Sequence, residues 1–447
     1  MSSNPSSHAV VEVDSENRFL RVFVALEACI KAAQYCKNLI VLDGTHLHGK
    51  YKGILLAATT IDGDGHLLQI AIGVVNQENK ENWLWFMSMF EQAVTMENIP
   101  TFISDRQKGL LDAITSVFPD SPHAFCVRHL TENLAKKCGK KEVIAEVWIA
   151  AKATKEEQVI ASLNRIRANS EKAYQFLIDV GLEHWTTVYF PAKRYGHVTS
   201  NVAESLNSWM SSLRGLPVTS LLENYRMKLV DWFTSRLNEG RHLEKKKSTV
   251  MKSIRQQLCE NQTKSIRMKV SLSTKQEVII GEVCDGTSRY IVDVNNWTCT
   301  CNGWQRDGFP CSHGLAVARE VGHRPVDCID KVFLVQNFIE TYATPIMPMK
   351  QRTDWVKAIN PESLPLPPLV KKSVGRPRRK RVDVFRKKRV RKEKEDDETI
   401  ENMMSDDRWL LGDIIDEEML DDSLSDEDDQ IWQDEDEYSS SGCEEEV

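Results

Sequence analysis

Four side chains near position 300 are spaced so that they have to meet at one point, and no other feature limits the fold of this chain as tightly. They are Cys299, Cys301, Cys311 and His313, in the form C-x-C, a spacer of nine residues, then C-x-H. Three thiolates and an imidazole are the donors that closed, tetrahedral zinc sites use. Cysteines one residue apart are badly placed to bridge each other. The alternative is an ordinary buried cluster without metal. The chain has 11 Cys, no signal-peptide pattern over residues 1–10 and no run of 18 apolar residues, so a reducing, intracellular setting is expected. Trp297, Phe309 and Pro310 supply apolar packing for a module too small to build a core of its own.

Charge is segregated along the chain. Residues 395–447 hold 24 Asp and Glu against the single Arg408, whereas residues 371–394 hold 14 basic residues against two acidic ones. The acidic block is expected to be a disordered tail. Within it Trp409, Leu410, Leu411, Ile414 and Trp432 stand among acids, a pattern that can dock on a coactivator or shield the basic block from non-specific DNA. The basic block contains Gly375, Arg376, Pro377, Arg378, Arg379, Lys380 and Arg381. An extended Gly-Arg-Pro core flanked by cations is narrow enough for the minor groove of A/T-rich DNA. It looks like an AT-hook, and the same residues would serve as a nuclear localisation signal; both roles stay open.

The apolar pattern places the main core in the first third of the chain. Residues 38–45 (NLIVLDGT), 53–61 (GILLAATTI) and 66–75 read as three strands of an antiparallel meander. Trp83, Met87, Phe90 and Val94 recur at helical spacing. Residues 100–105 (PTFISD) form a short strand, 109–118 a helix and 123–126 a fifth strand. This is an α/β plan. From residue 130 to about 183 the pattern is helical, 199–213 is a further helix with Ser200 or Asn201 as its cap, and a basic helical stretch covers 221–255. Two strands, over 277–283 and 288–294, precede the cysteine set.

Asp43 closes the first of these strands and Asp105 the fourth, and Glu204 is the only acid of the helix over 199–213. Acids at the ends of adjacent strands converge, and three carboxylates can hold two Mg²⁺ about 3.5 to 4 Å apart for phosphoryl transfer. Taken singly, each Asp reads equally well as a turn or a helix cap.

Several short motifs stand in one order. Asp43-Gly44-Thr45-His46 with Gly49-Lys50-Tyr51-Lys52-Gly53 resembles the first-aspartate motif of Mutator-like element (MULE) transposases. Ser104-Asp105-Arg106 resembles their second-aspartate motif, Cys126-Val127-Arg128-His129 their C-x-x-H motif, and Thr199-Ser200-Asn201 with Ala203-Glu204-Ser205 and Asn207 the block bearing the catalytic glutamate. The cysteine set resembles the SWIM-type zinc finger found downstream in that family. The resemblance spans roughly residues 18–319. It implies a ribonuclease H-like fold in which Asp43, Asp105 and Glu204 form a DDE triad holding Mg²⁺ or Mn²⁺, with structural Zn²⁺ on Cys299, Cys301, Cys311 and His313. It also implies DNA as substrate, a nuclear location and a homo-oligomer. Cys126 and His129, two ligands three residues apart, are expected to be a structural pair. Trp185 is a core residue or, as in related transposases, a stacking surface for an unpaired base.

The expected organisation is an N-terminal tail (1–17), a ribonuclease H-like transposase domain (18–240) with a helical insertion over about 130–195, a helical linker (241–275), a SWIM finger (276–322), a basic segment (361–394) and the acidic tail (395–447). Family members commonly carry an upstream zinc-bearing domain that recognises transposon ends. Only about 38 residues precede the first catalytic strand here, and Cys29 and Cys36 have no His near them. A separate DNA-binding subunit, a shortened gene or a host-recruited, transposase-derived transcription regulator without catalysis would each explain this.

Overall fold

Residues 54–75 are almost wholly apolar apart from one turn, and in the computed structural model of the chain they form two neighbouring inner strands of a seven-stranded sheet. The structure describes residues 4–349 and 364–368, except 51, 97, 139, 140, 276 and 277; the side chains at 108, 138, 201–204, 274, 275 and 278 also lie outside the description. The segments 371–394 and 395–447, with Gly375, Arg376, Pro377, Arg378, Arg379, Lys380 and Arg381, fall outside the described residues.

Strands β1 (His8–Val13) and β2 (Phe19–Ala25) form a hairpin, and α1 (Glu27–Ala33) leads into the antiparallel meander of β3 (Leu39–His46), β4 (Ile54–Ile61) and β5 (Leu67–Val75). Helix α2 (Lys80–Ala93) then leads to β6 (Thr101–Ser104), and α3 (Lys108–Val117) to β7 (His123–Phe125). Both strands run parallel to β3, giving the order β1-β2-β5-β4-β3-β6-β7. Successive residues of a strand face opposite ways. Ile40 and Leu42 therefore join the cluster under α2 and α3, while Leu39 and Val41 join the one on the other face. Asn79 caps α2, its side chain accepting from the Asn82 amide at 2.9 Å. Helix α3 lies close against the start of α2 because of Gly109, where a Cβ would stand 2.6 Å from the Lys80 nitrogen.

Helices α4 (Val127–Cys138), α5 (Lys141–Lys152), α6 (Glu156–Asn169), α7 (Glu171–Val180) and α8 (Leu182–Trp185) gather round an apolar cluster of their own. Next come α9 (Asn201–Trp209), α10 (Val218–Lys245) and α11 (Lys252–Ser265). A second sheet follows, of β8 (Lys269–Lys275), β9 (Val278–Asp285), β10 (Ser288–Asp293) and β11 (Thr298–Cys299), antiparallel in the order β11-β10-β9-β8. Helices α12 (Gly303–Asp307) and α13 (Ser312–Glu320) pack on it. The last helix, α14 (Val335–Tyr342), returns to α10, and the two cover the Leu39 and Val41 face with α9. No described helix is long and apolar enough to cross a membrane.

The chain departs from the sequence expectations at several places. Residues 8–13, expected within a tail, are a strand, held by the β1–β2 pairing that also extends the main sheet. The linker over 241–275 is helical only to Ser265; β8 follows, because Val270 and Leu272 alternate and pair with β9. The basic stretch over 221–255 is two helices, broken where Lys247 turns left-handed at φ 57°. Helix α9 ends at Trp209, and Ser200 occupies its N-cap position without a side-chain cap bond. Residues 364–368, expected within the basic segment, lie along the start of β2: the Phe19 amide donates to the Leu366 carbonyl at 2.8 Å and the Leu366 amide to that of Asn17 at 2.7 Å.

Candidate functional site: a carboxylate corner and a cysteine-histidine cluster

Parallel pairing of β3 with β6 runs Leu39 to Thr101, Ile40 to Phe102 and Val41 to Ile103, then stops. Each chain continues for two more residues, which brings Asp43 and Asp105 in step beyond the last pair. Asp43 is not the last residue of its strand, as the sequence suggested, because β3 goes on pairing with β4 to His46. Odd-numbered residues of β3 face α9, so Asp43 meets that helix: Asn207 Nδ2 donates to Asp43 Oδ2 at 2.6 Å. Burial raises the Asp43 carboxyl to about 6; the Asn207 hydrogen bond pulls it down, and the charge of Asp105 adds to the rise. Asp105 accepts the Gln107 amide at 3.0 Å on Oδ1. Position 204 is one turn before Asn207 in α9, and the Glu204 side chain lies outside the described residues.

Cys126 and His129 sit beside this corner, at the start of α4. The Cys126 amide donates to the Ser104 carbonyl at 2.8 Å, and its sulfur accepts the Ser200 amide at 3.2 Å, so the pair joins β6, α4 and the start of α9. The Cys126 thiol holds the His129 imidazole up at about 9, against burial, and Asp105 contributes to the rise. Burial pushes Cys126 itself up, but His129 outweighs it and the thiol is lowered. The corner thus has a cation of its own beside its carboxylates.

Glu78 was not singled out by any pattern. It follows β5, receives the Trp83 Nε1 hydrogen at 3.1 Å, and stands where a Gly44 side chain would go, 3.0 Å from that ideal Cβ. Burial raises it, with Asp105 also contributing. Gly44 is small because this carboxylate fills the space. A groove of about 770 Å³ runs from Glu78 past His46, His48, Lys50 and Lys52. Trp185 is fully buried in the helical cluster and presents no surface for stacking.

The second centre is the cluster that the spacing near position 300 demanded. Donor atoms of Cys299, Cys301, Cys311 and His313 all lie within 4.8 Å of one another. His313 turns Nδ1 to the sulfurs, 3.7 Å from Cys299 Sγ and 3.8 Å from Cys311 Sγ. Its Nε2 faces Asp285 Oδ2 at 3.7 Å, and Tyr290 stacks on the ring at 3.8 Å, which fixes its orientation. Amides of Gly303 and Gly314 donate to the Cys301 and Cys311 sulfurs at 3.4 Å each. None of the described cysteines is in a disulfide. Thiolates this close repel one another unless a cation lies between them, so the donor set fits Zn²⁺ closed by four ligands.

Comparison with known proteins agrees with this division. Residues 39–133 match the family model of the MULE transposase domain, and residues 287–322 that of the SWIM zinc finger. The first stretch carries Asp43, Asp105, Cys126 and His129; the second carries the four zinc donors. The chain is similar to Protein FAR1-RELATED SEQUENCE 6 of Arabidopsis thaliana, with 26% identity over 137 residues, 31% of this chain and 19% of that protein. It is also similar to the PKS-NRPS hybrid synthetase cheA of Chaetomium globosum, with 26% identity over 131 residues, 28% of this chain and 3% of that protein. The matches thus span under a fifth of either relative. The chain carries a MULE transposase domain and a SWIM zinc finger.

Proposed function

We propose that this chain is a DNA transposase of the Mutator-like class, cleaving a DNA strand and joining the freed 3′-hydroxyl to target DNA at Asp43, Asp105 and Glu204. The observation that carries the reading is the corner itself: two aspartates in step at the end of the β3–β6 pairing, one half-buried and met, among the described residues, by the Asn207 side chain. A carboxylate raised by burial, with a second acid beside it, is in the electrostatic setting that a divalent cation relieves. The strand order β5-β4-β3-β6-β7, with helices on both faces, supports a ribonuclease H-like core.

Asp43 and Asp105, with Glu204 as third carboxylate, would hold Mg²⁺ or Mn²⁺. Bound there, such ions act as Lewis acids on the phosphate and lower the pKa of the attacking water. Asn207 orients the Asp43 carboxylate through Oδ2, and Cys126 holds α4 and the start of α9 to β6. The groove lined by His46, His48, Lys50 and Lys52, and by Asp14 and Glu78, would offer a path for the DNA backbone beside the corner. Zinc on Cys299, Cys301, Cys311 and His313 is structural, since four protein donors leave no position for water or substrate. The basic segment over 371–394, with its AT-hook-like core, would carry the protein into the nucleus or hold A/T-rich DNA, and a homo-oligomer or a separate DNA-binding subunit would recognise transposon ends.

Supercoiled plasmid with Mg²⁺ or Mn²⁺ tests the reading. The full chain is expected to nick it, and Asp105→Asn and Glu204→Gln to lose at least about 100-fold in rate. Equal nicking by all three would overturn catalysis and leave a transposase-derived nuclear DNA-binding regulator. The acidic tail favours that second reading.

A further inference from the structure

Arg194 is a buried cation without a counter-charge. It is 3% exposed, its Nη2 donates to Thr187 Oγ1 at 3.1 Å, and its Nη1 has no hydrogen-bond partner. No carboxylate pairs with it among the described residues. Burial alone lowers its pKa, to about 10, and no acid opposes the shift. The guanidinium lies over the Phe190 ring, 4.7 Å from its centroid, but a buried charge with no carboxylate is destabilising, and folded chains ordinarily pair such groups.

The side chain lines a cleft of about 550 Å³ between the segment over 187–198 and the first turns of the zinc module. Lys193 and Arg306 line it as well, each held by one aspartate, Asp330 and Asp307, and no Asp or Glu is among the described residues that line it. His197 contributes an Nε2 that is buried and has no partner either, and burial keeps its ring neutral at physiological pH, with a pKa of about 3. Trp297 stands on the opposite wall in a left-handed conformation, φ 54°, its ring parallel to that of Trp304. Beyond His197 the chain runs to Ser200, the N-cap of α9, which carries Asn207 and Glu204.

We propose that this cleft binds a backbone phosphate of a DNA strand, with Arg194 as the cation that receives it and Trp297 as the wall for an adjoining base. The proposal rests on the reading of the chain as a DNA-acting protein, but not on catalysis. Guanidinium is the group best matched to phosphate oxygens, and an aromatic ring beside it suits a base of the same strand. The cleft is far larger than a lone phosphate and falls in the size range of sites that enclose a ligand.

The test uses the full chain without added Mg²⁺ or Mn²⁺, a short fluorescein-labelled oligonucleotide followed by anisotropy over a salt series, and inorganic phosphate as a second probe followed by melting temperature. Arg194→Gln is expected to bind roughly tenfold more weakly, with the slope of log affinity against log salt shallower by about one. Because Arg194 is buried, an exposed pair at the rim keeps the test independent of folding. Asn296→Glu should weaken binding about threefold or more and Asn296→Lys should strengthen it, both in the sense of a phosphate nearby. Wild-type affinity and salt slope in both Asn296 variants would overturn the proposal, and so would melting shifts with inorganic phosphate but no oligonucleotide binding, which would make the cleft a small-anion site. A chain that binds this way yet nicks no plasmid would sink catalysis alone; one that nicks while its Asn296 variants bind unchanged would sink the cleft alone.

Discussion

Two aspartates, one buried and one half-buried, stand at opposite ends of the central meander and are treated in opposite ways. Asp62, in the turn after β4, is 0% exposed and satisfied on all sides. Its Oδ1 accepts the amides of Asp64 and His66 at 2.9 and 2.8 Å, and its Oδ2 accepts the Tyr342 hydroxyl at 2.6 Å and faces His66 Nδ1 at 3.2 Å. Arg236 stands behind, donating to the Tyr342 oxygen at 3.0 Å. Burial would raise the Asp62 carboxyl, but the His66 charge and these hydrogen bonds outweigh it and hold it at about 2. Asp43 has Asn207 as its side-chain donor and Asp105 as its neighbour, and it is raised to about 6. The same residue type is therefore an anchor at one end and an unrelieved charge at the other. Anchors are complete within the chain, whereas an unrelieved acid is complete only with something the chain does not supply.

The contrast can be broken by mutation, and the largest effect belongs to the anchor. Asp62→Ala should cost about 3–5 kcal/mol in denaturant unfolding, because it strands Tyr342, Arg236 and two amides together. Asp43→Asn should do the reverse. With a folded pKa of about 6 against 3.8, Asp43 favours its protonated form in the fold, so its ionisation destabilises as pH rises from about 4 to 6 and fully above that. The variant is expected to be more stable than the wild type by about 1–3 kcal/mol at pH 7 to 8 and no more stable below about pH 4. An Asp43→Asn protein that is less stable at pH 7 would end the comparison.

Smaller effects sharpen it. His66 is raised above 6.5: burial pulls it down and Asp62 more than compensates. Its contribution is present below pH 6.5 and is lost as pH rises through the raised folded value. His66→Asn should therefore cost about 1 kcal/mol in mildly acid solution and progressively less in alkali, read from unfolding at a series of pH values. Smallest of all, Asn207→Ala should move the Asp43 midpoint further above about 6 in an NMR titration, since it removes a hydrogen bond to the charged form. An unmoved midpoint would mean that Asn207 does not govern that carboxylate.

Much of the architecture was legible before any coordinate. The meander over 38–75 and the helix through Trp83, Met87 and Phe90 were readable because buried strands and amphipathic helices carry strong periodic signals. β1 was hidden, since its alternation of half-buried and exposed residues looks like a polar tail until β2 pairs with it. β8 was hidden by its Lys, Ser and Thr, which read as the end of a basic helix. Glu78 and Arg194 left no trace in the pattern, because a carboxylate beside Gly44 and a guanidinium without a partner are facts about neighbours far apart in sequence.

The sequence by itself determined the local chemistry of this protein: four zinc donors whose spacing allows little else, an aspartate in or just after each of two strands, and a division of charge between body and tail. Those depend on residue type and short separations, which a linear text records in full. Only the tertiary structure decided which acids are satisfied and which are not. Asp43 and Asp62 are equally plausible as turn residues on paper; burial raises Asp43 against the pull of Asn207, 164 residues away, while Asp62 is held down against burial by His66 close by in the chain and by Arg236 and Tyr342 far along it. Electrostatic energy depends on distance through space and on what water can reach, and neither is written in the order of the residues.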